Sequence, residues 1–149
     1  MPNTLEEWRP IAGLENLYEV SNLGQVRSLT RTEVHTRKGK QVTYKRVGRV
    51  LKPVLSSRGY LMVSIGCGLD KTMKTVHSLV AHAFLPKCPG RYGVGGWNVD
   101  HINDDKLDNR VENLQWLPHW DNCFVKAGGS DRVKAQVKKQ VRDANGRYR

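Results

Sequence analysis

The chain has 149 residues, a formal charge of +11 and 38% hydrophobic residues, enough for one small domain or a small domain with an added module. That much positive charge points to a polyanion, most often nucleic acid, with a basic surface kept for solubility as the plain alternative. No run approaches the roughly 18 apolar residues of a membrane span, and the polar, acidic start MPNTLEEWRP does not read as a secretory signal.

Residues 5–29, LEEWRPIAGLENLYEVSNLGQVRSL, hold short β-prone runs at Trp8–Ile11, Tyr18–Val20 and Gln25–Leu29. Gly13 and the Ser21-Asn22-Leu23-Gly24 cluster break them into a small antiparallel meander. Asn22 or Gly24 is expected to supply the positive-φ turn residue.

Residues 27–58 carry Arg27, Arg31, Arg37, Lys38, Lys40, Lys45, Arg46, Arg49, Lys52 and Arg58 against a single acid, Glu33. TRKGKQ reads as a hairpin tip, and QVTYKRVGRVLKPVL alternates apolar and basic residues. A basic two-stranded ribbon fits a DNA groove; a lysine-blunted edge strand is the alternative. The first nine of these cations are the expected DNA contacts.

GYLMVSIG (59–66) reads as a strand, with LDKTMKTV as its hairpin return. VHSLVAHAFLP (76–86) has helical spacing, with Leu79, Val80, Ala83 and Phe84 as its apolar face and Pro86 as its stop. His77 is expected to pack or to lie on the surface, with a phosphate contact as the alternative. KCPGRYGVGG (87–96) is a loop, ENLQW a short strand and LPHWDNCF the start of a helix. After Val125, GGS marks a hinge into a basic tail with too few apolar residues for its own core. Cys67, Cys88 and Cys123 form no C-x-x-C pair, so they read as reduced thiols, and no structural zinc is expected.

The run WNVDHINDDKLDNRVENLQWLPHWDNC concentrates the chemistry. Phosphodiester hydrolysis needs an activated water, neutralised charge on the phosphorane and a stabilised leaving oxygen, and one hard divalent cation serves the last two needs. Oxygen donors suit Mg²⁺ or Mn²⁺. Asp100 supplies an anionic oxygen and Asn122 a neutral one, which leaves open positions for water and phosphate. His101 follows Asp100, and an ordinary imidazole, titrating near ~6.5, can accept a proton from water. Neighbours on a strand face opposite ways, so both side chains reach one cavity only if the strand ends or curls at His101. A carbonyl oxygen of Asn113 is expected to hold the imidazole in one tautomer. Asn103, Asp104, Asp105 and Asp108 are expected to cap turns, with extra metal ligation as the alternative. Asn109 is the expected loop-tying side chain. Trp97, Leu107, Leu114 and Trp116 read as the core beneath, and His119 reads as a surface histidine with a metal or phosphate contact as the alternative.

VDHINDDKLDNRVENLQW followed by Asn122 resembles the ββα-metal core of HNH homing-type endonucleases of phages and introns. The resemblance implies an α+β fold: a small antiparallel β N-terminal region, then a ββα-metal (His-Me finger) nuclease core. It implies His101 as the base, Asp100 and Asn122 as ligands of one divalent cation, and Asn113 as the orienting residue. Asn122 stands where many relatives carry a final histidine. EEWRPIAGLENLYEVSNLGQVRSLTR is similar to a nuclease-associated modular DNA-binding motif that accompanies such enzymes, and VHSLVAHAFLP matches the stretch between the two.

The organisation expected is a β-rich DNA-binding segment with the basic ribbon at 1–58, a nuclease core at 59–125 and a basic arm at 126–149. The expected function is metal-dependent cleavage of double-stranded DNA by a monomer or homodimer in the cytoplasm, the host's if phage-encoded. A decayed, non-cutting DNA-binding remnant is one alternative, and an RNA-binding or RNA-cleaving protein is another. With two Phe and no RRM- or KH-like motif, the last has little support.

Overall fold

A computed structural model describes residues 5–67, 70–93 and 96–119. It is an α+β arrangement in which short antiparallel sheets surround one helix. The first sheet has the order β1 (Trp8–Pro10), β2 (Tyr18–Ser21), β3 (Val26–Ser28) and β6 (Arg49–Val50). At β2, Tyr18 and Val20 turn inward and Glu19 lies across from Arg27, while Ser21 at the strand end is buried as well. Gly24, at φ 85°, takes the left-handed turn position, and Asn22 does not.

Between β3 and β6 the chain leaves this sheet as a two-stranded ribbon, β4 (Arg31–Arg37) and β5 (Lys40–Arg46). The strands pair in register from Arg31↔Arg46 to Arg37↔Lys40. Lys38 and Gly39 close the tip with φ 50° and 74°, the paired positive values of a type I′ hairpin turn. Most ribbon side chains are exposed.

A third sheet orders β7 (Val54–Leu55), β8 (Leu61–Cys67) and β9 (Asp70–Thr75). The β7–β8 pairing joins residues on either side of position 58. Val63 and Ile65 of β8 enter the core, and the buried hydroxyl of Tyr18 donates to the Gly66 carbonyl at 3.2 Å.

Helix α1 (Val76–Phe84) starts directly after β9 and ends at Leu85, which is extended, as a residue before proline tends to be. Its fully buried residues are Val76, His77, Val80 and Ala81. The expected stripe of Leu79, Val80, Ala83 and Phe84 is therefore rotated; Leu79, Ala83 and Phe84 are only half-buried. The reason is tertiary: α1 touches β1, β2, β8, β9 and the two strands of the last sheet, so its most enclosed side is set by several walls rather than one. Each fully buried valine there contributes about 1.5–3 kcal/mol over an exposed one.

The last sheet pairs β10 (Trp97–His101) with β11 (Leu114–Pro118), from Trp97↔Pro118 to His101↔Leu114. Leu114 and Trp116 are buried as expected, and the Trp116 indole donates to the Pro86 carbonyl at 2.8 Å. Leu107 instead lies on the surface at 54% exposure, because the loop carrying it is held by its own polar side chains. Leu117 and Pro118, expected at the start of a helix, extend the strand. Among the described residues, no helix is long and apolar enough to cross a membrane.

Candidate active site

Strand β10 ends at His101, which is the condition for Asp100 and His101 to approach one substrate. Val99 and His101 form its buried face, while Asn98 and Asp100 are half-buried on the other. Ile102 N–H donates to the Asn113 carbonyl at 2.8 Å, and Asp104, at φ 64°, turns its N–H back to the His101 carbonyl at 3.0 Å. The chain thus reverses within three residues of the histidine.

The partner of the imidazole is Asn109. His101 Nε2 lies 3.0 Å from Asn109 Oδ1, and both residues are buried. The amide's orientation follows from its other end, where Nδ2 donates to the Leu107 carbonyl at 3.2 Å. A carbonyl can only accept, so that end must be the NH₂ and Oδ1 must face the ring. An amide oxygen can only accept as well, so Nε2 carries the proton. In the neutral ring the lone pair is then on Nδ1.

Asn113, expected in this role, directs its side-chain hydrogen bonds to the loop instead. Its side chain accepts the Asn103 N–H at 3.0 Å and donates to Asn103 Oδ1 and the Asp108 carbonyl, each at 2.8 Å. Its position ahead of β11 aims it across the 103–108 loop, whereas Asn109 comes up along that loop beneath the histidine. Asn103, Asp105 and Asp108 each accept a backbone N–H two residues on, the Asx-type bonds that hold such loops. The Arg110 guanidinium, with help from Asn103, holds the Asp108 carboxyl well below the usual range, at about 2.

This loop rests on the N-terminal sheet. Val111 N–H donates to the Asn22 carbonyl at 2.9 Å. A Cβ added at Gly24 would lie 2.9 Å from Asn109 Cβ and 3.1 Å from the Asn109 carbonyl oxygen. The turn between β2 and β3 therefore supports the residue that holds His101, and only glycine permits the approach.

Three rings crowd the buried side. His77 stands edge-on to His101 with centroids 5.1 Å apart, and Tyr60 stacks 6.1 Å from His101 and lies 4.9 Å from His77. Lys106 Nζ sits 4.8 Å above the Tyr60 ring and donates to the Arg58 carbonyl at 2.9 Å. His77 is thus buried beside the site. Tyr60 was invisible to sequence reasoning, since one tyrosine before a strand carries no signal of what it will face.

On the opposite face, Gln115 donates to Asp100 Oδ2 at 3.2 Å, as its place across the ladder allows. His119 Nδ1 lies 3.1 Å from Asn98 Nδ2. Among the described residues, no cluster of three His, Cys, Asp or Glu is close enough to hold a metal. Asn122 and Cys123, together with the 126–149 arm, lie outside the described residues.

The order of these elements has known counterparts. Residues 6–66 match the family described as NUMOD4 motif, and residues 74–123 match the family described as HNH endonuclease. The chain carries a NUMOD4 motif followed by an HNH endonuclease domain.

It is 33% identical over 121 residues to an uncharacterised HNH endonuclease of Acanthamoeba polyphaga mimivirus, covering 78% of this chain and 25% of that protein. A second such protein of the same virus is 34% identical over 98 residues, covering 66% and 26%. DNA endonuclease I-HmuI of Bacillus phage SP01 is 32% identical over 111 residues, covering 74% and 52%. The chain therefore spans about a quarter of the viral relatives and half of I-HmuI. The fold matches a solved structure described as DNA binding and cleavage by the HNH homing endonuclease I-HmuI. That match has a TM-score of 0.58 and 29% identity, over 96% of this chain and 76% of that one.

The NUMOD4 match contains the ribbon. Arg37, Lys38, Lys40 and Lys45 are exposed on it and make no ion pair among the described residues. Arg31 and Arg46, paired at its root, share Glu33, at 2.7 and 3.3 Å. Arg49 and Lys52 follow on the exposed return. Arg27 belongs elsewhere: it lies in β3, bonds Glu19 at 2.6 Å and stacks its guanidinium 4.1 Å from the Trp8 ring centroid.

Proposed function

We propose that this chain is a metal-dependent endonuclease acting on double-stranded DNA. The observation that carries the reading is the His101–Asn109 pair, a buried imidazole held through Nε2 with Nδ1 left as a base, directly after Asp100. The family match and the likeness to I-HmuI support it.

In this mechanism the DNA backbone lies over the end of β10. His101 Nδ1 takes a proton from water, and the water oxygen attacks the phosphorus in line. Asn109 Oδ1 accepts from the opposite nitrogen, so it stabilises the imidazolium as it forms. That is where a hydrogen bond to a charged group counts most. Tyr60 and His77 exclude water from the buried side of the ring and fix its plane. Asp100 and Asn122 would hold one divalent cation. The oxygen donors fit Mg²⁺ or Mn²⁺, and Gln115 engages one Asp100 oxygen while leaving the other available. Such a cation neutralises phosphate charge and stabilises the leaving oxygen.

We assign tasks by segment: DNA capture to 1–58, hydrolysis to 59–125 and additional electrostatic contact to the arm at 126–149. One site serves one strand, so a monomer nicks and a homodimer cuts both strands.

The test is conversion of supercoiled plasmid by the purified chain with Mg²⁺ or Mn²⁺, against an EDTA control. Nicked or linear product that requires the metal supports the reading. Duplex binding without any product is the behaviour of a decayed, non-cutting element and refutes it.

A further inference from the structure

The root of the ribbon forms a cleft of about 870 Å³ where three sheets meet. Arg31 and Arg46 enter it from the ribbon, Arg49 and Lys52 from β6 and the segment after it, and Ser64 and Lys71 from the β8–β9 hairpin. No acid is among its lining residues, and Glu33, the carboxylate that pairs with Arg31, is shared with Arg46.

Two features set this cleft apart from a merely basic surface. Arg31 is largely covered, with 15% of its side chain exposed; Nε and Nη2 bond Glu33, and Nη1 is buried with no hydrogen-bond partner. A covered donor without an acceptor is destabilising, and an anionic oxygen would satisfy it. Gly48 makes the concavity possible, since a Cβ there would lie 2.5 Å from the Ser28 carbonyl oxygen. That close passage brings Arg46 and Arg49, on either side of it, to one opening.

We propose that this cleft is a seat for the phosphates of a DNA backbone, which anchors the root of the ribbon and completes the hydrogen bonding of Arg31. The inference rests on the proposed DNA reading and adds Lys71 and Ser64, from outside the ribbon, to the contact. Nη1 is buried, so an acceptor reaches it only with a local rearrangement of the cleft lining. A duplex is the occupant rather than a free anion because the free cations at the tip lie on the same ribbon. Seven residues per strand separate root from tip by roughly 20 Å, about six base steps of duplex at ~3.4 Å each. One polyanion can engage both ends. Ribbon direction relative to the nuclease site is then fixed at the root, where the three sheets meet.

The experiment measures duplex affinity by fluorescence anisotropy in EDTA, where no cutting occurs, over a range of salt. Wild type is compared with the Arg49→Gln/Lys71→Gln double variant and with a control, Lys87→Gln/Arg91→Gln, in the exposed loop after α1. All four side chains are exposed, so the fold is retained. The seat predicts that the double variant flattens the slope of log affinity against log salt by about 1.8, at ~0.9 for each phosphate that is no longer neutralised, while the control leaves it unchanged. An unchanged slope in the double variant, or an equal loss in the control, overturns the seat. Inorganic phosphate that binds wild type but not the double variant, with duplex affinity equal in the two at matched ionic strength, assigns the cleft to a free anion and also overturns it. A wild-type chain that binds no duplex overturns the proposed function as well, which separates the two failures.

Discussion

The ribbon β4–β5 and the loop from His101 to Asn113 are both polar hairpin connections, yet they are built in opposite ways. The ribbon is exposed, its tip cations are unpaired among the described residues, and two consecutive positive-φ residues suffice to close it. The loop buries His101, Asn109 and Asn113 and fixes nearly every turn with a side-chain-to-backbone bond. Capturing a polyanion requires only charge of one sign within reach. Taking a proton requires one nitrogen, in one tautomer, at one place, and buried amides provide that because each has only one satisfactory orientation.

The comparison breaks first at the base. His101→Ala is expected to lower cleavage by about 10²–10⁴-fold while duplex affinity in EDTA stays within twofold (roughly 0.4 kcal/mol); full activity in a plasmid assay would remove His101 from the mechanism. Next come the two asparagines. Asn109→Ala removes a hydrogen bond to a ring that becomes charged, worth about 1.5–3 kcal/mol, or roughly ten- to hundredfold in turnover. Asn113→Ala is expected to show mainly as lower stability, by about 1–3 kcal/mol in thermal melting. If Asn113→Ala impairs turnover more than Asn109→Ala at a temperature where both are folded, the tautomer assignment is wrong.

Gly24→Ala probes the support beneath the loop. Overpacking against Asn109 is expected to cost about 1–3 kcal/mol and to reduce cleavage, although the residue lies in the NUMOD4 motif. The ribbon behaves differently. Lys38→Gln/Lys40→Gln is expected to change stability by less than ~0.5 kcal/mol and to flatten the salt dependence of duplex binding by about 0.9 per residue. A large drop in melting temperature would show that the tip is structural.

The smallest effect is electrostatic. Asp108, lowered to about 2 by Arg110, favours the folded loop above the ordinary aspartate value of ~3.9, and that contribution is lost as pH falls from there toward 2. Arg110→Gln should move the loss to higher pH. Hydrogen exchange at the Asn103 and Asp105 amides between these limits reads it directly.

Much of the fold was legible along the chain. A short β-prone run bounded by turn residues placed Tyr18 and Val20 in a strand, Lys38-Gly39 marked a hairpin tip, and Pro86 ended the helix. The face of α1 was not legible, because the pattern Leu79, Val80, Ala83, Phe84 gives the most apolar stripe, whereas the walls around the helix choose the most enclosed one. Leu107 read as core for its apolarity, but a loop tied by its own carboxylates and amides can leave it outside. Within the site, the 100–113 segment was recognisable, and its loop bonds join residues two to ten positions apart.

The sequence by itself determined the charge of the ribbon, the chemistry available at Asp100-His101 and the set of asparagines near them, because composition and short spacing fix which groups can meet. The tertiary structure decided which of them do meet. Asn109 rather than Asn113 holds the imidazole, Tyr60 and His77 wall it, and Gly24 lets a distant turn press against Asn109. Spacing limits reach, but a hydrogen bond also needs direction, and direction is set only when the sheets and the helix pack.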